Sequence, residues 1–97
     1  MKTIDEIKYI LEKHKSILKE KFKIDEIGIF GSYVRREQTD ESDVDILVTF
    51  KKPIDFFLFL DLEEYLSELI GLKVDLVMKN ALKPNIGRSI LEETMYV

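Results

Sequence analysis

Ile27-Gly28-Ile29-Phe30-Gly31-Ser32 and, after ten intervening residues, Asp43-Val44-Asp45-Ile46-Leu47-Val48-Thr49-Phe50 decide how this chain folds. The first stretch extends a β-rich run from Ile24 in which Ile27 and Ile29 alternate with Glu26 and Gly28. It stops at Gly31-Ser32, as a strand ending in a tight turn should. The second has the same strand character over residues 43–50 and closes at Pro53. Between them, residues 33–37 are expected to form a helical turn, and the polar run Gln38-Thr39-Asp40-Glu41-Ser42 a connection.

On the N-terminal side, Thr3 followed three residues later by Glu6 reads as a capping box. Ile4, Ile7, Ile10, Leu11, Ile17, Leu18 and Phe22 then recur at helical spacing, which predicts one helix over residues 4–22. His14, the single histidine, falls within it between lysines and reads as part of a solvated face. On the C-terminal side, residues 55–70 suit a helix stopped at Gly71, residues 72–78 a third strand, and Pro84 the start of a last helix reaching about Thr94. Met95-Tyr96-Val97 is expected to be a short tail.

The predicted order α-β-α-β-α-β-α describes an α/β (α+β) fold, a small mixed sheet with helices packed on it. Strands two and three, joined through a helix, should be parallel with a right-handed crossover. Strand one, reached by a shorter connection, should run antiparallel to strand two. That topology would gather Gly31-Ser32, Asp43, Asp45 and Asp75 at one edge.

Ninety-seven residues suit one domain, residues 1–97. With 45% hydrophobic and 35% charged residues, the chain can build a core and stay soluble. No apolar run approaches the roughly 18 residues of a membrane span, and the N-terminus lacks the apolar stretch of a secretory signal, so a cytoplasmic protein is expected. The absence of cysteine excludes disulfides and thiolate metal sites. A net charge of −4, with the basic residues dispersed, disfavours direct nucleic-acid binding.

Asp43 and Asp45, two apart on a strand, point to the same face. Asp75, between Val74 and Leu76 in a strand that otherwise looks buried, needs a partner in space, and the Asp43-Asp45 pair is the evident meeting point. Converging carboxylates raise one another's pKa unless a cation neutralises them, and hard oxygen donors select magnesium or manganese. Magnesium held by few carboxylates completes its shell with water and substrate phosphate, so nucleotide handling is the expectation. Gly31 allows close backbone approach, while Ser32 can offer its N–H and hydroxyl to an anion. Arg35, three residues past Ser32, faces the same side of the turn, and Arg36 should point away. Each feature also has a plain structural reading. Gly-Ser is often only a turn, Asp-x-Asp often a loop-to-strand junction, and a strand aspartate can guard an edge or pair with Lys73. Their conjunction in compatible positions favours the site.

Gly31-Ser32-x(10)-Asp43-Val44-Asp45 followed by the strand aspartate Asp75 resembles the DNA polymerase beta-like nucleotidyltransferase superfamily, and within it the minimal nucleotidyltransferase (MNT) domains. The likeness covers nearly the whole chain, including Arg35, the Val74-Asp75-Leu76-Val77 strand and Leu82-Lys83-Pro84. It implies that Asp43 and Asp45 each bind two divalent cations, magnesium or manganese, and that Asp75 binds one and helps deprotonate the attacking hydroxyl. It implies further that Gly31, Ser32 and Arg35 hold the phosphates of ATP. The chain departs from the pattern at Arg36, where relatives of this kind often carry glycine. Larger superfamily members continue into a helical domain that selects the acceptor. The MNT resemblance instead implies a partner, a HEPN ribonuclease toxin whose tyrosine receives AMP in a type VII-like toxin-antitoxin system. Three other readings stand beside this one: an antitoxin that acts by binding alone, a nucleotidyltransferase for a small molecule or RNA end, and a charge cluster that binds no metal.

Overall fold

The computed structural model describes residues 2–97. Its elements are α1 (Ile4–Lys13), α2 (Lys15–Lys21), β1 (Ile24–Phe30), β2 (Val44–Phe50), α3 (Phe56–Ile70), β3 (Val74–Met78), a 3-10 turn (Lys79–Ala81), α4 (Pro84–Glu93) and β4 (Met95–Tyr96). The sheet order is β3-β2-β1-β4, with β1 antiparallel to β2 and β2 parallel to β3. The mixed sheet and both expected strand directions are therefore present.

Register sorts the strand side chains onto two faces. Ile27 pairs with Val48, Ile29 with Ile46, Val44 with Val74 and Ile46 with Leu76, so these residues share a face. All are buried against Ile4, Ile7 and Leu11 of α1, Leu18 of α2, and Leu62, Leu66 and Ile70 of α3. Burying side chains of this size stabilises the fold by about 1.5–3 kcal/mol each before conformational entropy is set against it. Ile24 joins the same core although it lies three residues before Ile27. A register shift between Ile24 and Glu26 admits an extra residue and keeps both isoleucines inward.

The opposite face is only partly covered. There Gly28 pairs with Leu47, Phe30 with Asp45, Asp45 with Asp75, and Leu47 with Val77. Leu47 and Phe30 are buried outside the main core. The chain crosses this face after β3: Lys79 lies 3.6 Å from Glu26 and 5.6 Å from the Tyr96 ring centroid, and α4 packs on β1.

Four expectations need correction. The first helix breaks at His14, whose ring Nδ1–H donates to the Ile10 carbonyl at 2.9 Å and takes up an acceptor left free at the end of α1. The expected helical turn at residues 33–37 is present but starts and stops earlier, the Arg35 amide donating to the Gly31 carbonyl at 3.2 Å and Arg36, at φ 59, ending the right-handed path before Glu37. The third strand starts at Val74, two residues later than its apolar pattern begins. Met95-Tyr96 is a strand that pairs with Ile29 and Gly28 of β1. It comes so close that a methyl group at Gly28 would sit 2.6 Å from Thr94 Cγ2, which explains the glycine inside β1. No helix among the described residues is long and apolar enough to cross a membrane.

Candidate active site

The end of β1 and the starts of β2 and β3 meet at one edge of the partly covered face. Asp45 stands in register with Phe30 on one side and Asp75 on the other. Asp43, two residues before Asp45, projects from the same side. The structure thus brings Gly31, Asp43, Asp45 and Asp75 to one place. It does not bear out the buried setting read for Asp75, whose side chain is exposed because its face carries no helix over it. Lys73 pairs with Asp43 at 3.9 Å.

Gly31 and Asp45 are fitted to each other. Gly31 holds φ 83, a left-handed conformation that strains any residue with a Cβ. A Cβ built there would also collide with the Asp45 carboxylate. The glycine therefore serves two purposes, turning the chain and admitting the carboxylate beside its backbone. The Gly31 carbonyl accepts from the Val34 and Arg35 amides at 3.1 and 3.2 Å, and the Ser32 carbonyl from the Glu37 amide at 2.9 Å. Those bonds close a compact turn with Ser32 half-exposed at its start.

The electrostatics record the crowding. The Asp45 pKa is raised from 3.8 to about 6, first by burial, then by the charges of Asp75 and Asp43. Arg35 opposes that shift and Glu93 adds to it. Nearby, burial followed by the charges of Asp40 and Asp43 raises the pKa of the Tyr33 phenol, which belongs to the core. A divalent cation would relieve the repulsion around Asp45, and an all-oxygen carboxylate set suits magnesium or manganese. Among the described residues no three His, Asp or Glu side chains are gathered into a ready metal cage. The arrangement fits an ion that arrives with phosphate and shares its shell with it, since magnesium commonly takes only one or two protein carboxylates.

Glu93, at the end of α4, is a site residue that the sequence reading did not single out. Its Oε2 accepts from the Gly31 amide at 2.6 Å, and its carboxylate accepts from Arg35 Nη1 at 2.9 and 3.1 Å. Arg35 Nε also faces Glu37 at 3.3 Å, and the hydrogen bond to Glu93 leads the influences that raise the guanidinium pKa. One signal was available in the sequence. Glu92-Glu93 place negative charge at the negative end of α4, whose last turn has no basic residue, so a carboxylate there needs a partner outside its own helix. Arg36 turns away, 3.4 Å from Asp5, in the left-handed conformation that explains why glycine suits this position.

Comparison with known proteins follows the same lines. The nucleotidyltransferase domain family matches residues 11–97. A Methanocaldococcus jannaschii protein named for protein adenylyltransferase activity is 60% identical over 98 residues, with full coverage of both chains. The protein adenylyltransferase MntA of Thermococcus cleftensis is 53% identical over 97 residues, covering 100% of this chain and 98% of that one. A solved minimal nucleotidyltransferase structure superposes with a TM-score of 0.75 at 25% identity, over 92% of this chain and 93% of the other. A chain of the complex between tri-AMPylated Shewanella oneidensis HEPN toxin and MNT antitoxin gives 0.68 at 21% identity, covering 93% and 70%. That last likeness is one of fold.

Proposed function

The chain belongs to the nucleotidyltransferase domain family, and we propose that it is a metal-dependent protein adenylyltransferase that moves AMP from ATP to a tyrosine of a HEPN ribonuclease toxin, as its antitoxin. The observation that carries the reading is the fitting of Gly31 against Asp45, with Asp75 in register beside it. This sets the Gly31-Ser32 turn directly against a carboxylate cluster. The names of the full-length relatives support the activity, and the fold neighbour found in a HEPN complex supports the partner.

In this reading the Ser32 amide and hydroxyl bind the outer phosphates, and Arg35 neutralises their charge. Asp43 and Asp45 would hold two magnesium ions, or manganese, with Asp75 contributing to one. Bound there, the ions would stabilise charge on the attacking and leaving oxygens. The tyrosine oxygen attacks the α-phosphorus, its bond to the pyrophosphate oxygen breaks, and pyrophosphate departs. The phenolic proton passes to Asp75, whose carboxylate is exposed. The surface of the partner around its tyrosine would contribute to acceptor choice.

Mass spectrometry tests the proposal on a candidate HEPN ribonuclease incubated with the chain, ATP and magnesium. An AMP adduct on a tyrosine is expected, and its loss in the Asp43→Ala, Asp45→Ala double variant. No adduct, together with toxicity still suppressed by that variant, would replace the enzymatic reading with an antitoxin that acts by binding.

A further inference from the structure

We infer that Glu93 is a positioning residue for the nucleotide site: it ties the Gly31 amide and the Arg35 guanidinium to the end of α4, so that the turn carrying Ser32 and the guanidinium meet the phosphates already aligned. The inference rests on the proposed nucleotide reading and adds to it a residue outside the Gly-Ser and aspartate motifs.

One carboxylate spans two parts of the turn. Glu93 accepts from the Gly31 backbone at 2.6 Å and grips Arg35 through both its oxygens at 2.9 and 3.1 Å. Arg35 is otherwise a long side chain, 48% exposed, and an untethered guanidinium of that kind would lose considerable rotamer freedom on meeting a phosphate. Glu93 and Glu37 remove that freedom beforehand, engaging Nη1 and Nε. Nη2 is left out of these pairings and can donate to an anion. The same bonds orient the Gly31 turn, at whose start Ser32 stands.

A second possibility is that Glu93 is a surrogate phosphate, which ATP must expel. The geometry favours the tether, for two reasons. Glu93 occupies only part of the donor set. It also sits between α4 and the β4 pairing with Ile29 and Gly28, which anchors its backbone on both sides. Its 26% side-chain exposure fits a group enclosed by the turn that it holds. The two roles predict opposite signs: losing a tether weakens ATP, whereas losing a competitor tightens it.

Calorimetric titration with ATP and magnesium of wild type, Glu93→Gln, Arg35→Ala and the double variant separates them. Glutamine keeps an acceptor for Gly31 but removes the charge that fixes Arg35. The expected result is about a tenfold weaker ATP affinity for Glu93→Gln, with less than a twofold further change when it is added to Arg35→Ala. Unchanged or tighter binding in Glu93→Gln, or effects that simply multiply in the double variant, would overturn the inference. A second readout needs no nucleotide. Amide hydrogen exchange at Gly31 should be slow in wild type and Glu93→Gln and faster in Glu93→Ala, and equal rates in all three would also overturn it. Wild type that fails to bind ATP sinks the proposed function, while the exchange measurement still decides the tether.

Discussion

Arg36 holds φ 59, where a side chain costs about 1–2 kcal/mol relative to glycine, and its exposed pairing with Asp5 at 3.4 Å returns little of that. Arg36→Gly should therefore raise stability by about 0.5–1 kcal/mol in urea unfolding. An unchanged or lower midpoint would mean that the turn gains more from arginine than its backbone loses. Asp45 gives a prediction whose sign depends on pH. Its folded pKa of about 6 lies above the ordinary 3.8, so the fold binds this proton more tightly than the unfolded chain does. Its contribution is favourable at low pH and is lost as pH rises from 3.8 to about 6. Without metal, Asp45→Asn should melt higher than wild type at neutral pH, and the difference should shrink as pH falls toward 4. Thermal melts across that range, repeated with magnesium and ATP, should show the gap closing as the ligands stabilise wild type alone. The carboxylates and the Gly-Ser turn were legible in the sequence because strand parity and turn chemistry are local. Glu93 was not, since its partners lie 62 and 58 residues away and only the fold brings them together.

The strands and α3 followed from period and caps: Asp55 accepts from the Leu58 amide at 2.8 Å, and the helix stops at Gly71. The break at His14 escaped because Ile17, Leu18 and Phe22 keep a helical spacing across it. The interruption shows in the fold, where His14 leaves helical φ/ψ at −107 and 13 and its ring bonds to the Ile10 carbonyl. β4 escaped because two residues carry no period, and its pairing depends on the space left by Gly28. Between α3 and β3 the structure adds contacts that no pattern announces. The Glu63 carboxylate accepts from the Leu76 amide at 3.0 Å, and the Ser67 hydroxyl from the Val74 amide at 3.1 Å. Glu63→Ala would leave a half-buried N–H unpaired and should cost about 1–3 kcal/mol in urea unfolding. Glu63→Gln, which keeps an acceptor, should cost distinctly less. Equal losses would show that charge rather than the hydrogen bond matters there.

The molecule keeps its apolar weight on one side of the sheet and its charged site on the other, with α4 and β4 joining the two. Ending the chain after Thr94 removes the β4 pairing and the anchor behind Glu93. A lower melting temperature and a several-fold weaker ATP affinity are expected, the second because α4 alone would hold Glu93 less firmly. An unchanged affinity would assign the whole anchor to the helix. The sheet's outer edges carry a further consequence. Along β3, side chains of α3 take outward-facing amides that another strand would need, and β4 offers only two residues. Neither border is a good template for strand addition. At high concentration the protein should resist stacking through its sheet into fibrils, and an incoming protein would have to meet it by face and side chain rather than by lengthening the sheet.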